Sequence, residues 1–216
     1  QVLWTTLATL ILTVCGVNFM GPNTIGDFPP TAYYLISSIA SFLSIVLPFS
    51  FFLFFGKRKL SDTVLVEKNG VLNSVLLVFA GLAVSVLMNI PANLISQLLE
   101  GAGLNGDANT ADLLALTPVQ ALTMFVSVVL VAPVTEEFAF RSVTTAVMRR
   151  WGDWPAVIFS ALIFGMAHYS IQSLPVVLTA GFVMALLYVR TRNIWVNIFV
   201  HMLNNLLATL PIALEG

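Results

Sequence analysis

The sequence predicts an all-α fold, a polytopic bundle of about seven transmembrane helices, with eight as the alternative count. Three observations carry that expectation. Of the 216 residues, 58% are hydrophobic and 9% charged, where a soluble domain has roughly 45–50% apolar and 25% charged residues; mean hydropathy is +0.96. The apolar residues fall in runs suited to helices that cross a hydrocarbon core, which takes about 20 residues each. The basic residues gather in loops that alternate threading puts on one side.

In order, the predicted spans are 2–20, 31–55, 70–99, 113–150, 154–170, 174–190 and 193–211. The first lacks the basic leader of a signal peptide, and its flank "NFMGPN" reads as a loop rather than a cleavage site. The chain opens on Gln1 without a methionine, as a trimmed N-terminus would. Cys15, the single cysteine, lies in this run and reads as a small core residue, with no internal disulfide open to it. The second span carries Ser37, Ala40, Ser41 and Ser44, small side chains that suit close helix packing, and "GKRKL" follows it. The third lies between Lys68 and an acidic loop with Glu100, Asp107 and Asp112. The fourth is longer than a bilayer needs, with Pro118 near its start and Pro133 inside, where a proline kinks a helix. Amphipathic "RSVTTAVMRRW" ends it at the inner surface. The last three spans follow at short intervals, with Trp151, Trp154 and Trp195 where an interfacial belt belongs. No internal repeat or low-complexity tract interrupts the run, so residues 1–216 read as a single integral membrane domain.

"GKRKL", Lys68, "MRRW" and "VRTRN" hold eight of the nine Lys and Arg residues. Basic loops face the cytoplasm, so seven spans place the N-terminus inside and the C-terminus outside. The "KRK" run reads as a topology determinant. A net charge of -1 gives no bulk electrostatic case for nucleic acid as a partner.

The ninth basic residue, Arg141, stands with Glu136 and Glu137 in "VAPVTEEFAFRSV". At about 1.5 Å per residue Glu136 lies ~20 Å from Arg149 along the helix, well inside a core ~30 Å thick. Charges at that depth are costly and usually functional. Glu137 and Arg141 are i,i+4 and can pair on one helix face, which reduces the cost of burying both. Glu136 is rotated about 100° away. A structural ion pair with a glutamate at a membrane edge is the plainer reading of this trio. The histidines argue against it. The only two, His168 in "IFGMAHYS" and His201 in "WVNIFVHMLNN", also fall in apolar spans. Phe164 is i,i+4 from His168, and Asn205 is i,i+4 from His201; spacing favours Asn205 over Asn204. By helix rise, His201 comes out about 8 Å shallower than Glu136 and His168, a mismatch that tilt could absorb.

A carboxylate and a histidine can hold and deprotonate water, and a second histidine and an amide can donate to an oxyanion. Together they would hydrolyse an amide without a covalent intermediate. The sequence has no Gly-x-Ser-x-Gly, SxxK or HExxH motif. Glu136, His168 and His201 could instead be three zinc ligands with water in the fourth position. No metal cofactor is the favoured expectation, with zinc as the alternative. A membrane transporter or proton relay built on the same residues is a rival reading, though no inverted repeat accompanies it.

"EEFAFR", "FGMAH" and "HMLNN" match the patterns EExxxR, FxxxH and HxxxN, in that order. In this they resemble the CAAX protease and bacteriocin-processing family, also called the ABI family of intramembrane proteases, whose eukaryotic members are the type II CAAX prenyl endopeptidases. The matched region, about 117–210, looks like the family's catalytic core. The resemblance implies an all-helical intramembrane endopeptidase. In it Glu136 looks like the water-activating base assisted by His168, His201 and Asn205 look like the oxyanion site, and Glu137, Arg141 and Phe164 look supporting. Family members were long described as metalloproteases. Bacterial members are linked to peptide maturation, bacteriocin self-immunity and membrane signalling. The short loops point to a bacterial plasma membrane and a membrane-associated peptide or protein substrate, with the site in a water-filled cavity toward the cytoplasm. A non-catalytic immunity protein that kept the fold is the remaining alternative.

Overall fold

The computed structural model describes residues 49–104, 118–168 and 171–215, with isolated positions 39, 42, 43, 46 and 47. The predicted span 2–20, most of the span 31–55, and Cys15, Ser37, Ala40, Ser41 and Ser44 lie outside the described residues. Among the described residues every regular element is helical. Helix α1 is followed from 49 to 55, and a single turn, α2, covers Leu60–Thr63. Helix α3 is Val71–Gly101. Helix α4 is a continuous run of helical turns from 118 to 151, α5 is Asp153–Met166, α6 is Leu174–Thr191 and α7 is Ile194–Glu215.

The burial pattern of α3 is the reverse of a water-soluble helix. Leu72, Leu76, Phe79, Leu87, Ile90, Leu94 and Leu98 are exposed, while Gly81, Ser85 and Ala92 are buried. Large apolar side chains facing outward and small residues facing neighbouring helices are what a hydrocarbon solvent selects. Val71–Gly101, Ala121–Trp151 and Leu174–Thr191 are long and apolar enough to cross a membrane; Asp153–Met166 and Ile194–Leu210 are shorter apolar helices. The chain is thus an all-α membrane bundle, as its composition predicts.

Helix α4 is not a uniform α-helix. Pro118–Phe125 is α-helical, Val126–Val131 is π-helical, Ala132–Glu136 returns to α, and Glu137–Thr144 is π-helical again. Thr145–Met148 and a 3-10 turn at Arg149–Trp151 close it. Proline has no N–H and clashes with the carbonyl four residues back; the first π segment opens the ladder just ahead of Pro133. The second carries Glu137 and Arg141, with Glu136 the last residue of the α segment before it. Hydroxyls serve carbonyls there: Ser160 donates to Phe140 O at 2.7 Å, Thr144 to Ala139 O at 3.0 Å, and Thr145 to Arg141 O. π turns are rare and concentrate at functional sites.

Helix α5 is shorter than its predicted span 154–170. Its 14 residues extend ~21 Å, less than a ~30 Å core, and it ends in a turn where His168 N–H bonds Gly165 O at 3.2 Å. The chain then reverses and α6 packs back on α5. Val157 clusters with Ala185 and Val189, and a Cβ on Gly181 would lie 3.4 Å from Ala161 Cα. This antiparallel pairing sets the 149–153 turn beside the 190–194 turn. The latter is bonded to the segment before α3: Val66 bridges Asn193, Glu67 N–H bonds Arg192 O at 2.9 Å, and Ile194 N–H bonds Leu65 O at 3.0 Å. Tyr188 Oη accepts from Leu65 N–H at 3.1 Å and donates to Thr63 O at 3.2 Å. The basic loops therefore share one end of the bundle, and Trp151, Trp154 and Trp195 are exposed there.

Candidate active site

Helix α4 supplies Glu136, Glu137 and Arg141, and the π turns decide how they face. Glu137 and Arg141 are both 0% exposed, with Arg141 Nε 3.3 Å from Glu137 Oε2. The pair predicted from i,i+4 spacing is formed and fully desolvated, which requires further partners. They come from three other helices. Arg141 Nη2 donates to Gly181 O of α6 at 3.4 Å, and the guanidinium lies over the Phe164 ring of α5, 4.2 Å from its centroid. From α7, Asn197 Nδ2 reaches Glu137 Oε2 at 3.3 Å and also donates to Met184 O.

His201, one turn further along α7, sits between the two glutamates. Its Nδ1 is 2.9 Å from Glu137 Oε1, and its Nε2 is 3.7 Å from Glu136 Oε2. A carboxylate accepts, so the short contact puts a proton on Nδ1 and turns Nε2 toward Glu136. Glu136 is 18% exposed, whereas Glu137 is sealed in. Two adjacent carboxylates thus have different surroundings, one bound on all sides and one with a free edge. The depth mismatch between Glu136 and His201 is gone. An i→i+5 ladder rises less per residue than an α-helix, so the π segment Glu137–Thr144 shortens the climb from Arg149 to Glu136 by part of that mismatch; the rest lies in how α4 is set against α7.

His168 lies just past the end of α5 and is exposed. Its Nδ1 is 2.9 Å from Phe164 O. A carbonyl only accepts, so Nδ1 carries the hydrogen and Nε2 holds the lone pair in the neutral ring. The Phe164 ring connects the two histidines: its centroid is 4.7 Å from that of His168 and 5.8 Å from that of His201. Phe140 meets Phe164 edge-on at 5.4 Å, closing the apolar floor. Asn205 is half-buried, and its Nδ2 donates to Val128 O of the first π segment at 2.9 Å; one amide hydrogen remains for another acceptor.

The structure therefore links Glu136, Glu137, Arg141, Phe164 and His201 in one chain of contacts: His201 touches both glutamates and Phe164, and Arg141 touches Glu137 and Phe164. His168 joins through Phe164, and Asn205 stands one turn along α7 from His201. Among the described residues no three His, Cys, Asp or Glu side chains are grouped to hold a metal ion. Sequence reasoning missed Asn197. Its signal was present as the stripe Asn197, His201, Asn205 at i, i+4, i+8 on one helix face. It also missed Gly181, where an added Cβ would meet Phe164 Cδ1 at 2.9 Å; nothing local in the sequence marks that close approach.

Residues 118–207 match the family model described as "Type II CAAX prenyl endopeptidase Rce1-like", nearly the extent of the predicted core. The chain is also similar to the Bacillus subtilis (strain 168) protein described as "Putative membrane peptidase YdiL", with 31% identity over 140 residues, 64% of this chain and 57% of that relative. The chain thus spans somewhat over half the length of the curated relative it matches. No solved structure matches it significantly.

Proposed function

We propose that this chain, which belongs through residues 118–207 to the type II CAAX prenyl endopeptidase-like family, is an intramembrane endopeptidase in which Glu136 activates water for direct attack on a peptide bond. The observation that carries the reading is the placement of His201 against both glutamates, Nδ1 on Glu137 and Nε2 toward Glu136. In this reading Glu137 does not do the chemistry. Arg141, Asn197 and His201 engage both of its oxygens, and it fixes the orientation of the imidazole. Glu136, with a free edge, takes the proton of the attacking water. His168 presents the lone pair of Nε2 and assists by holding that water. In this reading His201 is an imidazolium, with Nδ1–H on Glu137 and Nε2–H left to donate, and it and the remaining N–H of Asn205 donate to the oxyanion as it develops.

The attack forms a carbon–oxygen bond and a tetrahedral oxyanion. Its collapse breaks the carbon–nitrogen bond, and Glu136 returns its proton to the leaving amine. No covalent enzyme intermediate arises and no metal takes part. The substrate is a membrane-associated peptide or protein. The setting is a bacterial plasma membrane, with the basic loops and the N-terminus toward the cytoplasm and a role in peptide maturation, signalling or bacteriocin self-immunity.

The experiment is cleavage of candidate membrane peptides by the purified full chain, beside Glu136→Gln. The variant should fold normally and lose on the order of 10²-fold or more, the usual worth of a catalytic acid–base group. Cleavage at the wild-type rate by Glu136→Gln would sink the assignment of the base. Elemental analysis and chelation run in parallel: zinc at one per chain, whose removal ends cleavage and whose return restores it, would overturn the metal-free mechanism and leave the protease reading standing. Ion-coupled flux without cleavage in proteoliposomes would favour the transporter.

A further inference from the structure

At the basic end a second feature stands apart from the motif residues. A cavity of about 720 Å³ opens between the first turns of α3 and the last turn of α6, with Lys68 and Arg190 at its rim. The neighbouring cations are already paired. Arg192 Nε is 2.7 Å from Glu67 Oε1, and Arg149 Nε is 3.0 Å from Asp153 Oδ1. Among the described residues Lys68 and Arg190 have no carboxylate partner. They are nevertheless held near each other, because Asn69 Nδ2 donates to Thr191 O at 3.2 Å and Val66 bridges Asn193. Both charges therefore line one cavity, and an anion lying between them would meet both.

The lining specifies what kind of anion. Below the cations the wall is apolar, with Leu76 of α3 and Leu187 of α6. Polar atoms are grouped at the rim: the Asn69 and Asn73 side chains, and Thr191, which is 8% exposed and whose Oγ1 has no hydrogen-bond partner. A ligand that fits has an anionic head with several acceptor oxygens and an apolar body running along the helices. Exposed Trp195 on the adjacent helix places this rim at the level where headgroups meet water.

We infer that the Lys68–Arg190 cavity binds the phosphate of an anionic phospholipid, with an acyl chain laid against α3 and α6. Lys and Arg both bind phosphate, Lys as a point charge and Arg as a bidentate fork. The lipid would clamp the loop that links α2 to α3 onto the end of α6. This site is separate from the protease reading and stands or falls without it.

The test uses the purified full chain in detergent, with titration of phosphatidylglycerol and phosphatidylcholine followed by native mass spectrometry. Lys68→Gln/Arg190→Gln is compared with Lys57→Gln/Arg58→Gln, which removes the same charge from exposed residues outside the cavity. Wild type should retain phosphatidylglycerol in preference to phosphatidylcholine. The cavity variant should lose on the order of 30-fold in affinity, from two basic groups near an anionic head, and the control variant should bind as wild type. Equal loss in both variants would reduce the effect to general surface charge and overturn the site. Equal retention of the two lipids would overturn it as well. A third arm adds inorganic phosphate alone: binding at the same residues, with displacement of the lipid at equal concentration, would assign the site to free phosphate and refute the lipid. Both variants alter exposed side chains, and unchanged thermal midpoints would confirm that they fold.

Discussion

Arg141→Ala removes the guanidinium from a carboxylate that has no access to water. Breaking a buried pair by deleting one partner costs about 3–5 kcal/mol, and a desolvated cation–π contact such as that with Phe164 about 2 kcal/mol. The two do not add, because they share one guanidinium. Glu137 keeps two other donors, Asn197 Nδ2 at 3.3 Å and His201 Nδ1 at 2.9 Å, which places the cost near the lower figure, about 3 kcal/mol. For a chain of this size 1 kcal/mol moves the midpoint by roughly 2–4 °C, so a fall of about 6–12 °C is expected. Intrinsic tryptophan fluorescence during heating in detergent would measure it. Glu137→Gln/Arg141→Met removes both charges and refills the volume, and should recover much of the loss, as replacement of buried ion pairs by apolar groups does. That protein should be stable and poorly active, because the imidazole of His201 has lost its carboxylate. An Arg141→Ala midpoint within about 2 °C of wild type, below the shift that 1 kcal/mol produces, would refute the reasoning. So would a double variant as unstable as the sum of the single ones.

Gly181→Ala would push a methyl group to 2.9 Å from Phe164 Cδ1; overpacking of this kind costs about 1–3 kcal/mol, and because Phe164 touches Arg141 and both histidines, kcat should fall with stability, as a paired melt and activity assay would show. Asn205→Ala should lower kcat by about 10²–10³ with KM little changed, the worth of an oxyanion donor; unchanged kcat would leave Asn205 only its bond to Val128 O. Cysteines introduced at Ser173 and Arg192 in a Cys15→Ser background should be labelled from outside at the former and protected at the latter, and the reverse pattern would invert the topology.

Much of this protein was open to reading from its residues in order. A hydrocarbon solvent demands apolar runs of fixed length, so composition alone assigned the class. Helix periodicity is local, so the Glu137–Arg141 pair could be placed from spacing, as could the shared faces of Phe164 with His168 and of His201 with Asn205. The charge rule put the basic loops at one end, where the contacts of α5, α6 and the segment before α3 hold them. What local spacing could not supply was the relation between helices. Counting at a constant rise left His201 several ångströms short of the glutamates, because counting along each helix alone leaves out how α4 is set against α7, and nothing in "EEFAFR" announces the π-helical ladder that supplies part of the difference. Asn197 was passed over because an asparagine in an apolar helix has no assigned role until its amide is seen against Glu137. Gly181 was silent for the same reason: the close approach of Phe164 belongs to the pairing of α5 with α6. The polar residues mark a site because burial makes them expensive wherever they fall. Which carboxylate is sealed and which stays open depends on packing from three other helices, and only the tertiary structure decides it.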